Sequence, residues 1–413
     1  MPMSHGWRWL LIGCAAIGLA QTAFAKRPSH APAKPAQVEA AGPATDSVAE
    51  ARLLEVYRLM AAGQSREALT QAGNLVQAYP HFQLAQLVYG DLLAARGRPI
   101  KAFGDVPPAL AAGAAGPLGE LRDESRMRLR AHSDRPRPGS IPSQFVTLAR
   151  STRHAIAVDA SRSRLYLFEN RTSGLTLVGD YYTSVGKAGV SKTSQGDQRT
   201  PLGVYFITSR LNPTALKDFY GSGALPINYP NVLDARRGKT GNGIWLHGTP
   251  PTQFARAPMA TDGCLVLSNP DLMHLMETVE VGSTPVVIAA QLQWVDPGSN
   301  RRESGTFEET LDAWRQARVE GDLSRVLSFY TRDFNSNGKT LDQWALSVQA
   351  ELTKIRGRSI ELKDVTLLRW TDTADTMVVS LGEVTAGRRS GWIKRQYWSR
   401  QGGQWKIFFE GTL

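Results

Sequence analysis

The sequence has 413 residues, 42% of them hydrophobic, a formal net charge of +11 and two cysteines, Cys14 and Cys264. That length supplies two or three packed domains; two cysteines so far apart form no CxxC zinc knuckle or dithiol redox site, and no intramolecular disulfide is expected once Cys14 leaves with the N-terminal segment. The basic charges are spread rather than massed, which fits a solvated basic surface or contact with an anionic lipid or wall polymer.

At the N-terminus Arg8 precedes an apolar stretch from Trp9 to Ala20, followed by the small-x-small triplet Ala23-Phe24-Ala25. This reads as an export signal over residues 1–25, with Lys26 the first mature residue. The apolar run is too short for a stable membrane-spanning helix. Leu11-Ile12-Gly13-Cys14 offers a rival reading as a lipoprotein box. Export predicts the periplasm or cell envelope as workplace and argues against nucleic acid as a partner. Residues 26–46, rich in Ala and Pro, read as a flexible linker.

Residues 47–133 turn to helical periodicity. Leu53, Leu54, Tyr57 and Leu59 mark one helix; Ala68, Leu69, Leu75 and Val76 follow the Gly63-Gln64-Ser65 turn; Leu84, Leu87, Val88 and Leu92 mark a third. The stretch resembles a tetratricopeptide-type (TPR-like) helical pair with one further helix. It reads equally as a plain spacer, as a dock for the next domain, or as the docking face for a protein partner. Gly and Pro recur from 97 to 119, which reads as a punctuated link, and 134–149 as a second linker around Arg135-Pro136-Arg137-Pro138-Gly139.

Between 150 and 290 the texture is of short strands with glycine turns: Ile156 and Val158, Leu165 to Phe168, Tyr181 and Tyr182, Val204 to Ile207, Ile244 to Leu246, and Pro285 to Ala289. One helix is expected from Asp271 to Glu280, with Ser268 or Asn269 at its cap. Residues 303–413 place helices first and alternating strands afterwards, an α+β pattern. Six tryptophans fall there, Trp314, Trp344, Trp370, Trp392, Trp398 and Trp405; they read as the core of a twisted sheet rather than as a pocket lining. The predicted fold is therefore multidomain: an α-helical region, a β-rich domain and an α+β domain.

The chemistry gathers in two phrases. Gly243-Ile244-Trp245-Leu246-His247-Gly248-Thr249 delivers a histidine from an apolar strand, and Thr261-Asp262-Gly263-Cys264 delivers a thiol after a glycine turn. A free thiol, pKa about 8.5, is only a few per cent ionised at neutral pH, so an imidazole base is needed to generate the nucleophile and then to protonate the leaving amine. Backbone N–H groups of Gly263 and Cys264 are expected to face the developing oxyanion. The competing reading makes Cys264 a small buried hydrophobe. A metal site from His247, Asp262 and Cys264 lacks a fourth ligand. The remaining mature histidines, His30, His81, His132, His154 and His274, have no comparable company.

On these residues the stretch from about 154 to 289 resembles the YkuD-type L,D-transpeptidase catalytic domain. His247, then Thr261, Gly263 and Cys264, match its signature, supported by Gly186-Lys187 and Thr200-Pro201-Leu202-Gly203. The departure is Asp262, where the family has histidine. The resemblance implies Cys264 as nucleophile and His247 as general base and acid, oriented by the Gly248 carbonyl. Asp262 and Thr261 are expected near the substrate; Asp262 reads equally as orienting a neighbour, binding a substrate ammonium, or as a surface cap. Residues 303–413 resemble the NTF2-like fold. The implied substrate is the peptidoglycan stem peptide, attacked at its third residue with release of D-alanine. An amine acceptor then gives a 3→3 cross-link, and water gives L,D-carboxypeptidase trimming. A non-catalytic wall-binding scaffold is the reading of a different class. No cofactor is implied. The C-terminal unit is open to three roles: orienting glycan, mediating a homodimer, or stabilising the enzyme.

Overall fold

The computed structural model describes residues 45–413 except 106, 107, 304, 356 and 388–390. The expected export signal, and the linker up to residue 44, lie outside the described residues. Among the described residues no helix is long and apolar enough to cross a membrane.

The helical region contains four helices: α1 (Val48–Ala61), α2 (Ser65–Ala78), α3 (Gln83–Ala94) and α4 (Pro108–Ser133). Their apolar stripes, including Leu53, Val56, Leu75, Leu84 and Val88, meet in one cluster. The second half of the stretch 97–119, read as a punctuated link, is the first part of α4, which carries Pro117 within it. Tertiary packing of Leu118, Glu124, Arg128 and Ala131, all buried, overrides the weak local propensity of its glycines.

The central domain is built on a six-stranded sheet, in spatial order Thr45–Asp46, Gly174–Tyr182, Arg164–Arg171, His154–Asp159, Pro285–Ala289 and Gly203–Phe206. Its middle strands are apolar on both faces because both faces are covered. On one face Ile156, Val158, Leu165, Leu167, Val286 and Ile288 join a core with Leu246 and Leu265 of a second, three-stranded sheet and with Leu272 and Leu275 of the helix Asn269–Thr278. That helix is capped by Ser268, whose hydroxyl accepts from Asp271 N–H. On the other face Ala155, Ala157, Tyr166, Phe168 and Val287 meet Leu368, Val378, Tyr397 and Phe408 of the C-terminal sheet.

The C-terminal sheet has five strands, ordered Gln404–Thr412, Trp392–Gln401, Asp375–Thr385, Ile360–Thr371 and Phe145–Thr147. Period-two alternation divides it between two cores: Val378 faces the catalytic side, while Met377, Val379 and Leu381 face the helices Gly305–Glu320 and Leu341–Ile355. Four of the six C-terminal tryptophans, Trp314, Trp370, Trp398 and Trp405, are buried, whereas Trp392 is 69% exposed. The segment 134–149, read as a linker, supplies the fifth strand of this sheet and a short pairing of Ile141–Pro142 with Trp294–Val295.

Candidate active site

The three-stranded sheet brings the two chemical phrases together. Trp245–His247 lies between Ala224–Pro226, antiparallel, and Leu265–Val266, parallel, with Leu246 opposite Leu265 and His247 opposite Val266. One register step back, Cys264 stands beside Trp245. Because side chains alternate faces, Cys264 and His247 share a face of this pair. Trp245 N–H donates to the sulfur, and the thiol donates to the Gly243 carbonyl at 3.4 Å. No hydrogen bond joins the sulfur to the imidazole among the described residues.

The turn before Cys264 is tightly specified. Gly263 has φ +124°, and a Cβ there would stand 2.6 Å from the Arg199 carbonyl oxygen, so only glycine fits. Thr261 Oγ1 donates to the Cys264 carbonyl at 2.8 Å and accepts from Gly263 N–H at 3.1 Å. Gly263 N–H, expected as an oxyanion donor, is therefore directed to Thr261, and the buried Thr261 hydroxyl is occupied in the turn itself. Cys264 N–H donates to no protein acceptor among the described residues. The supporting phrases act on the same turn. Thr200 Oγ1 donates to the Gly263 carbonyl at 3.0 Å and accepts from Gly186 N–H at 2.9 Å. Lys187 N–H reaches the Thr261 carbonyl at 2.8 Å.

His247 is 2% exposed, and its Nδ1 lies 2.7 Å from the Gly248 carbonyl oxygen. A carbonyl only accepts, which puts the proton on Nδ1 and leaves Nε2 as the basic nitrogen. Tyr220 stands edge-on at 5.1 Å between ring centroids, with Phe219 at 5.8 Å. Asn269 braces the surrounding loops. Its Oδ1 accepts from Ser222 N–H and its Nδ2 donates to the Thr249 carbonyl, both at 2.9 Å.

Burial lowers the His247 pKa to about 4, opposed by the Gly248 carbonyl and reinforced by the nearby Arg256 charge. Burial raises the Cys264 thiol, against the opposing pull of Trp245 N–H and Arg256. Both shifts disfavour the charged form, the signature of desolvation. At neutral pH the resting pair is thus a thiol and a neutral imidazole, not an ion pair.

Cys264 and His247 line a cavity of about 220 Å³ together with Gln195, Tyr220, Asn242 and Arg256. Asp262 is exposed at its rim and pairs with Lys187 at 2.9 Å. No group of three or more His, Cys, Asp or Glu residues suited to hold a metal occurs among the described residues. His154, outside the cavity, meets the Glu280 carboxylate at 3.0 Å. Arg256 was not singled out from sequence; the available signal was its place on the loop between the two phrases. That loop is held by the helical region. Phe254 stacks on Phe82 at 4.2 Å, its N–H donates to the His81 carbonyl at 3.0 Å, and Gln83 Nε2 donates to the Thr252 carbonyl at 3.2 Å.

Residues 153–288 match the L,D-transpeptidase catalytic domain of the YkuD family, and residues 306–411 match the Cds6 C-terminal NTF2-like domain. Among solved structures, Bd1075 of Bdellovibrio bacteriovorus aligns with TM-score 0.57 at 24% identity, over 66% of this chain and 98% of that one. The helical cell shape determining protein Pgp2 of Campylobacter jejuni aligns with TM-score 0.51 at 20% identity, over 71% of this chain and 99% of that one. At these identities the likeness is one of fold. No curated protein matches the sequence.

Proposed function

We propose that this chain, which carries a YkuD-family L,D-transpeptidase catalytic domain followed by an NTF2-like domain, is a cysteine-dependent acyltransferase of peptidoglycan tetrapeptide stems. His247 Nε2 takes the Cys264 proton as the sulfur attacks the carbonyl carbon of the third residue. The oxyanion is received by Cys264 N–H. Collapse breaks the bond to the D-alanine nitrogen, which takes the proton from the His247 imidazolium, and a thioester remains. An amine from a second stem, losing its proton to His247, then attacks the thioester carbonyl; the carbon–sulfur bond breaks, Cys264 leaves as thiolate and takes that proton back from His247, and the new amide is the cross-link. Since the proposed substrate is peptidoglycan, the workplace is the periplasm or cell envelope.

The observation that supports this reading is the pairing of Trp245–His247 with Leu265–Val266, which sets a thiol and an imidazole of fixed tautomer on one cavity. The test is incubation of the purified protein with disaccharide tetrapeptide. Wild type is expected to release D-alanine and carry a Cys264 thioester visible by mass spectrometry; Cys264→Ala is expected to do neither. Saturable wall binding with no turnover in wild type would replace the enzyme with a scaffold.

The cavity volume favours a second outcome for the same thioester. At about 220 Å³ it lies under the roughly 300–1,000 Å³ of sites for drug-sized ligands, which suits a small acceptor. With water as acceptor the product is tripeptide, and the protein is an L,D-carboxypeptidase. Dimeric muropeptide among the products identifies the transpeptidase; tripeptide alone identifies the carboxypeptidase.

A further inference from the structure

The cavity holds, beside the neutral imidazole, three charged side chains: Lys192, Asp262 and Arg256. Two are committed. Lys192 Nζ donates to Asp197 Oδ1 at 2.7 Å and to the Ser194 carbonyl at 3.0 Å. Asp262 pairs with Lys187. Arg256 differs. Its guanidinium carbon lies over the Phe219 ring, 4.4 Å from the centroid, and the guanidinium makes no ion pair or hydrogen bond among the described residues. It is half-buried. A planar fork of five donors left without acceptors beside a nucleophile is a site for a carboxylate.

We infer that Arg256 binds the terminal carboxylate of the donor stem peptide and so sets which stems Cys264 attacks, an inference that rests on the function proposed above. The breaking bond joins the attacked carbonyl to the D-alanine nitrogen, and that nitrogen must reach His247 to be protonated. The carboxylate of the same D-alanine is one carbon further on. A cation whose field acts on both His247 and Cys264 is therefore placed to meet it. The site is also prepaid in order: Tyr182 Oη donates to the Arg256 carbonyl at 2.8 Å and Ser184 Oγ to the Ala257 carbonyl at 2.5 Å. Fixing the backbone at Arg256 and at the residue after it removes part of the entropy that binding would otherwise cost. In a pentapeptide the carboxylate stands one residue too far, so the tetrapeptide is the preferred donor.

The test uses the full-length protein and three muropeptides: a tetrapeptide with meso-diaminopimelate as third residue and a free terminal carboxylate, the same tetrapeptide as its C-terminal amide, and a free-acid tetrapeptide with L-lysine as third residue, whose side chain lacks the carboxylate that diaminopimelate carries. D-Alanine or D-alaninamide release gives kcat and KM. Wild type is expected to favour acid over amide by roughly 10- to 100-fold, the range for a hydrogen bond to a charged group, mostly through KM, and to retain its rate on the lysine peptide. Arg256→Gln is expected to erase the acid–amide difference, and Arg256→Lys, which keeps charge but not the fork, to restore part of it. Equal rates of wild type on acid and amide would overturn the assignment whether or not the variants fold. So would a wild-type loss confined to the lysine peptide, which would move the contact to the side-chain carboxylate. If wild type forms no Cys264 thioester with any peptide, the proposed function fails and the assignment with it.

Discussion

At the scale of single residues, the chemistry is governed by desolvation. His247 sits almost wholly out of water, and its pKa of about 4 keeps Nε2 unprotonated across the range in which a solvent-exposed histidine would charge. The acid limb of Cys264 acylation is therefore expected near pH 4 rather than near 6.5, with a plateau extending past neutrality. A profile of the acylation rate against pH, followed by adduct mass, checks this; a limb at 6 to 7 would mean an imidazole open to solvent. The same shift has a stability consequence of opposite appearance. Between about pH 6.5 and 4 the unfolded chain binds a proton at this histidine that the native state refuses, so its contribution weakens the fold as pH falls through that window. Much of this residue scale was legible in sequence. His247 and Cys264 stand out because glycines flank them, and the structure sets both on one cavity, with the Gly248 carbonyl against Nδ1 of the imidazole. Gly263 N–H was misassigned because Thr261, two residues earlier, captures it, a local bond that no residue type announces. Arg256 was illegible because its meaning depends on Lys192 and Asp262 having partners elsewhere.

At the scale of elements, the loop 249–258 belongs to two bodies at once. It leaves the strand that carries His247 and returns to the turn that carries Cys264, yet Phe254 and Ala255 lie in the same apolar cluster as α1 to α3. The helical region is thus a brace for the cavity wall. Phe82→Ala removes the ring under Phe254, and a buried Phe→Ala change costs about 3–5 kcal/mol. The expected outcome is a lowered melting temperature together with a reduced kcat/KM on tetrapeptide, at a position with no side chain in the cavity. Retained kcat/KM with only the melting temperature lowered would make the contact purely structural. Sequence periodicity revealed α1, α2 and α3, whose apolar stripes recur at helical spacing. It placed the helical region as far as residue 133 but read the first part of α4 as a link, because Gly113, Gly116, Pro117 and Gly119 imitate one and the packing that offsets them comes from partners distant in sequence. The strand Phe145–Thr147 escaped for a related reason: three residues carry too little alternation to be seen without the sheet they complete.

For the whole molecule, charged side chains buried at the seams hold the domains in one arrangement. Glu50 of α1 accepts from Arg164 Nη1 at 2.8 Å and pairs with Arg128 of α4 at 3.1 Å. Arg164 also donates to Asp180 at 2.6 Å, and Arg128 to Glu124 at 2.7 Å. Burial alone would raise Glu50, but Arg164 and Arg128 outweigh it and hold its carboxyl below the usual range. Glu50→Gln would leave two buried guanidinium groups short of one negative charge. Breaking such a network costs about 3–5 kcal/mol, so a clear loss of thermal stability is expected, measured by calorimetry; an unchanged melting temperature would show that the seam is held by apolar packing alone. At the opposite seam Arg237 makes a two-pronged contact with Asp372 at 2.5 and 2.7 Å, and Arg395 lies over Phe206 at 3.4 Å. A composition summary shows the net charge but not this internal pairing.

The pairing of Thr45 with Gly179 and of Asp46 with Asp180 has one more effect. A bare sheet margin offers idle amides and carbonyls to any other extended chain, a standing invitation to fibre formation. Here two residues ahead of the first helix act as a selvedge, closing part of the widest sheet's fabric against unravelling into its neighbours.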